Sequence, residues 1–108
     1  MLLNLKMKKM ETNLKTQNNN NKVVYIVTTA ECSACKCMEN ILDDIQKDNS
    51  AFTITSTDFT KVPEWLKINI ILTDFPTVVF IDNNVIKYHF VGTKSKSKVL
   101  QLMKYINF

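Results

Sequence analysis

Residues 23–35 read Val-Val-Tyr-Ile-Val-Thr-Thr-Ala-Glu-Cys-Ser-Ala-Cys, and this stretch decides the fold. Val23–Thr29 is β-branched almost throughout and too short for a helix. It predicts a strand buried on both faces, as at the centre of a parallel sheet. Ala30 and Glu31 form a short connection. From Ser33 to about Lys47, the residues Cys35, Met38, Ile41, Leu42 and Ile45 recur at helical spacing, which predicts an amphipathic helix. Asp48-Asn49-Ser50 ends it. The chain therefore opens a βαβ unit in which a helix starts on a pair of cysteines.

Downstream, Ala51–Thr57 alternates into a second strand, and a strand–helix–strand order requires parallel pairing with a right-handed crossover. Pro63 fits the first turn of a short helix running to about Asn69, because the N–H it lacks is not needed there. Ile70–Phe75 is apolar yet bounded by Thr73, Asp74 and Pro76, and its pattern fits neither element cleanly. Thr77–Ile81 and Val85–Val91 read as two strands joined through Asp82-Asn83-Asn84, since asparagine tolerates positive φ. Gly92 breaks the ladder. Ser95 can cap a last helix whose apolar stripe is Val99, Leu102, Met103 and Ile106. Upstream, Leu3, Met7, Met10 and Leu14 are spaced 4, 3 and 4 apart, a short helical stripe that must dock to hold. Residues 17–21 are polar and read as a linker. The order is α–βαβ–α–ββα, divided into a basic extension over 1–22 and a domain over 23–108.

With 108 residues, 45% of them hydrophobic and 22% charged, the chain has the size and composition of a single folded domain. A run of about 18 apolar residues is absent, so no membrane span is expected. Residues 1–10 mix lysines with leucines and lack the apolar stretch of a signal peptide. The single glycine excludes a glycine-rich phosphate cradle. The net charge is +4, and residues 1–22 carry it: Lys6, Lys8, Lys9, Lys15 and Lys22 against Glu11. Residues 23–108 balance nine lysines with nine carboxylates. All 14 basic residues are lysine. Without arginine there is no bidentate reader of guanine or phosphate, and no nucleic-acid partner is expected.

The three cysteines, Cys32, Cys35 and Cys37, lie within six residues. A disulfide scaffold would scatter them to tie distant segments together, so the cluster points to local chemistry and to a cytoplasmic, reducing compartment. The spacing has a chemical rationale. A thiolate is the attacking species in disulfide exchange, and a sulfur at a helix N-terminus meets unpaired N–H groups and the positive end of the dipole. Cys32 holds that position. Cys35 follows one turn deeper on the core face, within bridging range, where it can resolve a mixed disulfide. Cys37 lies about 200° around the helix from Cys35 at ~100° per residue, on a flank. A metal site built from Cys32, Cys35 and Cys37 would need three sulfurs that the helix spreads around its circumference. It would also need a fourth ligand, and the only histidine, His89, sits on a distant strand. Neither a metal nor a cofactor is expected.

In this context the sequence resembles the thioredoxin family. Lys36 follows the second cysteine as in the family's W-C-G-P-C-K signature, and Ile41-Leu42-Asp43-Asp44-Ile45 is similar to the apolar-acidic run of its active-site helix. Phe75-Pro76-Thr77 before Val78-Val79-Phe80 is similar to its x-P-T loop and next strand. Val91-Gly92 before a serine-capped helix is similar to its C-terminal end. The resemblance covers about residues 23–108. It implies a thioredoxin-like α/β fold, a central mixed four-stranded sheet flanked by helices, here with an extra N-terminal helix or tail. It implies a redox-active Cys32–Cys35 disulfide, with Cys32 as nucleophile and Cys35 as resolving thiol. It further implies a cis Pro76 facing the pair, and a client-binding edge at Phe75, Pro76 and Gly92. The implied activity is reduction of disulfides in client proteins by a monomer, fed by a flavin-dependent thioredoxin reductase or a similar dithiol donor.

Five positions depart from the family pattern. Glu31 stands in place of tryptophan, Ser33-Ala34 in place of Gly-Pro, Ile26 in place of a buried aspartate, and Asn40 in place of a kinking proline. The Gly-Gly-x-Asp glutathione segment of the related glutaredoxins is also absent, with Gly92-Thr93-Lys94-Ser95 in its place. These departures keep open a non-enzymatic thioredoxin-fold binding module as an alternative. The three-cysteine metal-binding protein is a further alternative.

Overall fold

A computed structural model of the chain describes residues 21–108. The predicted stripe Leu3–Leu14 and most of the 1–22 extension lie outside the described residues. The elements are β1 (Lys22–Thr28), α1 (Ser33–Asp48), β2 (Thr53–Asp58), a 3-10 turn (Phe59–Lys61), α2 (Glu64–Lys67), β3 (Thr77–Asp82), β4 (Val85–Val91) and α3 (Lys96–Tyr105). The sheet order is β2-β1-β3-β4. β1 pairs with β2 in parallel and with β3 antiparallel, and β3–β4 is an antiparallel hairpin. This is the expected mixed four-stranded sheet, and β1 is internal as its apolar run predicts.

Alternation along the strands sends side chains to two cores. Val24, Ile26, Val78, Phe80 and Phe90 meet Met38, Leu42 and Ile45 of α1 and Val99 and Met103 of α3 on one face. On the other, Val27, Val79 and Ile81 meet Val62, Leu66 and Ile70. The first face is covered by two helices of 16 and 10 residues, the second by a four-residue helix and its flanking coil. Covering on both faces explains why β1 and β3 read as continuous apolar runs.

Several boundaries shift by one or two residues from the sequence reading, while Ile70–Phe75 fits neither element, as its pattern indicates. The second strand starts at Thr53 rather than Ala51, because Phe52 leaves the ladder to fill the first core and its carbonyl accepts from the Gln46 side-chain amide at 2.8 Å. Pro63 stands just ahead of α2 rather than inside it, and the helix ends at Lys67, two residues short. Ile70–Phe75 is irregular: Ile70 is buried while Ile71 is 84% exposed, so the run has neither a helical nor a strand period. The β3–β4 turn is made by Asn83 and Asn84 at φ of 55° and 67°, the paired left-handed conformation that suits a two-residue hairpin.

α3 starts on Ser95, whose hydroxyl accepts from the Lys98 N–H. It ends in a Schellman motif: Phe108 N–H donates to Met103 C=O, Asn107 N–H donates to Lys104 C=O, and Asn107 takes the left-handed position at φ 61°. That turn drives the Phe108 ring against Phe80 and Phe52, with ring centroids 5.3 and 6.0 Å apart. The Lys22 ammonium donates to the Phe108 carbonyl and lies over its ring.

Candidate active site

The register places four chain segments at one end of the sheet. Thr28, the last residue of β1, is opposite Asp58, the last of β2; Val27 is opposite Thr77, the first of β3; Thr77 is opposite Val91, the last of β4. The loops 29–32, 59–61, 74–76 and 92–95 therefore meet at this end. This is the end from which α1 departs, and it holds Cys32, Phe75, Pro76 and Gly92 in its loops.

Cys32 is the N-cap of α1, and its Sγ accepts a hydrogen bond from the Cys35 backbone N–H at 3.0 Å. Sulfur thus takes the place an oxygen usually fills at a helix start, which satisfies one of the orphan donors there. Cys32 and Cys35 are joined by a disulfide, with Cα atoms 5.2 Å apart. Cys32 is half-buried, whereas Cys35 is 2% exposed, so one sulfur is reachable and the other is screened. Cys37 is free and exposed, away from the pair, as the helical angle predicts. Among the described residues, no three or more histidine, cysteine, aspartate or glutamate side chains stand together to hold a metal. His89 is exposed on β4.

The 74–76 loop flanks the first residue of β3. The Phe75–Pro76 bond is cis and Pro76 is buried. Gly92 N–H donates to the Pro76 carbonyl at 2.8 Å, which ties the 92–95 loop to this one. Gly92 has φ 90°, a conformation open to glycine and strained for other residues, and a Cβ there would touch nothing. The Thr77 hydroxyl, fully buried, donates to the Asp74 carbonyl. The backbone N–H and C=O of Phe75 have no partner among the described residues, so both are open to an extended segment.

The sequence reading did not find Phe59, which lies 43% exposed with its ring 5.3 Å from Phe75. Its only signal is adjacency to the end of a strand that the register brings to the site. Trp65 meets Tyr25 edge to face at 5.8 Å on the second sheet face. Ile26 is fully buried in the first core, so no carboxylate stands at the position where the family's buried aspartate would be. Asp58 closes the β2 end: the Thr60 hydroxyl and amide donate to it and, with Lys61, hold its carboxyl below the ordinary range.

A reachable sulfur capping a helix, bonded to a screened sulfur one turn on, defines a dithiol–disulfide exchange site on an α/β sheet. A thioredoxin family model matches residues 3–105, and the chain belongs to the thioredoxin family. Its fold is similar to that of thioredoxin f2 of Chlamydomonas reinhardtii, at 19% identity over 82% of each chain and a TM-score of 0.66. It is similar also to thioredoxin-2 of the malaria parasite, at 20% identity over 84% of this chain and 88% of that one, with a TM-score of 0.68. The germline thioredoxin Deadhead of Drosophila melanogaster shares 22% identity over 81% of this chain and 82% of its own, at a TM-score of 0.66. None of the curated proteins compared with the chain matches it. Family membership and a C-x-x-C pair at disulfide distance support thiol–disulfide oxidoreductase chemistry in general.

Proposed function

We propose that the chain reduces disulfides in client proteins through the Cys32–Cys35 dithiol. The observation that carries the reading is the asymmetry of the pair: Cys32 Sγ is accessible and accepts an N–H at the helix start, while Cys35 is buried behind it. That same N–H stabilises a thiolate on Cys32 in the reduced protein.

The Cys32 thiolate attacks one sulfur of a client disulfide, forms a mixed disulfide and expels the other client sulfur as a thiolate. Cys35, deprotonated in turn, attacks the Cys32 sulfur. The client leaves fully reduced, and the Cys32–Cys35 disulfide remains. Two electrons pass from the dithiol to the client, and a second dithiol donor, such as a flavin-dependent reductase, returns them. Phe75 offers its free N–H and C=O to the extended client segment, Pro76 brings no N–H to compete for the sulfur, and Gly92 braces Pro76 from the neighbouring loop. Residues 23–108 constitute the working domain, with residues 1–22 as an extension. Clustered rather than dispersed cysteines support a reducing, cytoplasmic compartment. Among the described residues no helix is long and apolar enough to cross a membrane.

The test is reduction of insulin with dithiothreitol as electron source. The full chain should accelerate precipitation of the insulin B chain, and Cys32→Ser should return the rate to that of dithiothreitol alone. A chain that leaves the rate unchanged acts as a thioredoxin-fold binding module, and the reductase reading falls.

A further inference from the structure

We infer that Glu31 makes this site selective for client disulfides whose attacked cysteine is flanked by a lysine or arginine; the inference rests on the reductase reading above. Glu31 immediately precedes Cys32 and sits in the left-handed conformation at φ 53°. A non-glycine residue is strained there, and such strain points to function where it flanks a reacting atom. Its side chain is exposed and makes no hydrogen bond or ion pair among the described residues. A carboxylate on the residue that precedes the attacking cysteine, without a partner among the described residues, is available to a cation brought by the client.

The neighbouring charges do not take over that role. Lys36 lies one turn along α1 without closing an ion pair to Glu31. The Asp58 carboxylate is occupied by Thr60, and Lys94 lies over the Phe90 ring at 5.2 Å. Asp74, two residues before Pro76, adds a second exposed carboxylate, while Lys61 follows Phe59 on the β2 side. The Phe59–Phe75 ring pair at the same end of the sheet is apolar and indifferent to charge. Of these groups only Glu31 adjoins Cys32 in the chain, and charge reading at the sulfur is assigned to it.

The experiment uses the full chain, reduced and freed of reductant, in single turnover against three disulfide-linked peptides. They are identical except for Lys, Gln or Glu beside the cysteine. The wild-type chain should reduce the Lys peptide about fivefold faster than the Glu peptide at low ionic strength, the factor one partly screened charge pair supplies. The ratio should fall toward unity at high salt. Glu31→Gln should level the three rates and Glu31→Lys should invert their order. The same order of rates in the wild type and in Glu31→Lys would overturn the inference and leave the reductase reading intact. Reduction of none of the peptides by the wild type would overturn both.

Discussion

The two ends of the sheet are built on opposite principles. At the far end, where β1 and β2 begin and β3 meets β4, each chain reversal is closed on itself. Asn83 N–H donates to Asn21 C=O, Gln46 holds Phe52, and Lys22 and the Schellman turn pin Phe108 over the first core. At the other end the chain is left open. Glu31 and Gly92 take left-handed conformations, Phe75 keeps both backbone groups unpaired, and Phe59 holds its ring in solvent. The same sheet thus carries a closed end that supplies stability and an open end that leaves donors, acceptors and apolar surface exposed.

Substitutions separate the two. Phe80→Ala, in the ring cluster beneath Phe108, removes a fully buried aromatic and should cost about 3–5 kcal/mol, read as a lowered urea midpoint. Gly92→Ala acts at the open end. No clash opposes it, so the loss is conformational, about 1–2 kcal/mol, and client reduction should slow because the N–H that braces Pro76 moves. A full retention of rate would show that the 92–95 loop does not support the site. Asn107→Ala strains the closed end in the same conformational way but should cost only about 0.5–1 kcal/mol and leave insulin reduction unchanged. If it slows reduction, the two ends are coupled and the division fails.

The smallest effect is electrostatic. Lys96 donates to Asp44 at 2.8 Å and lies 3.4 Å from Asp48, joining α3 to α1. The hydrogen bond from Lys96 holds the Asp44 carboxyl below the ordinary carboxylate range. A lowered folded-state pKa contributes stability that is fully present above the unfolded value and is lost as pH falls through the folded one. The urea midpoint should therefore stay level from neutrality down to the ordinary carboxylate range and decline below it. Lys96→Met should make that acid decline shallower. An identical decline in the variant would mean that the link adds nothing.

The closed and open ends also differed in how much of each could be read from the sequence. β1, α1, the Asn83–Asn84 turn and the Ser95 cap were legible because each rests on a local pattern: an apolar run, a 3.6 period, a residue type that tolerates its φ. The cysteine pair was legible for the same reason, since helix position and spacing settle which sulfur is reachable. What was not legible depends on residues meeting across the fold. Phe59 reaches Phe75 only through the β1–β2 register, Phe108 caps the core through a turn that asparagine merely permits, and Ile70–Phe75 is shaped by Ile70 burying against α2 rather than by any period of its own. Glu31 carries no local signal for a left-handed backbone, which is one reason its conformation is informative.

The central claim is that Cys32 attacks and Cys35 resolves. The most direct test captures cellular proteins on Cys35→Ser, Cys32→Ser and Cys37→Ser variants and releases them with reductant. Removing the resolving sulfur stalls the cycle at its first covalent intermediate. Cys35→Ser should therefore hold client proteins through a disulfide at Cys32, Cys32→Ser should hold none, and Cys37→Ser should turn over insulin as the wild type does. Capture of nothing by Cys35→Ser, with loss of activity in Cys37→Ser, would contradict the two-cysteine mechanism.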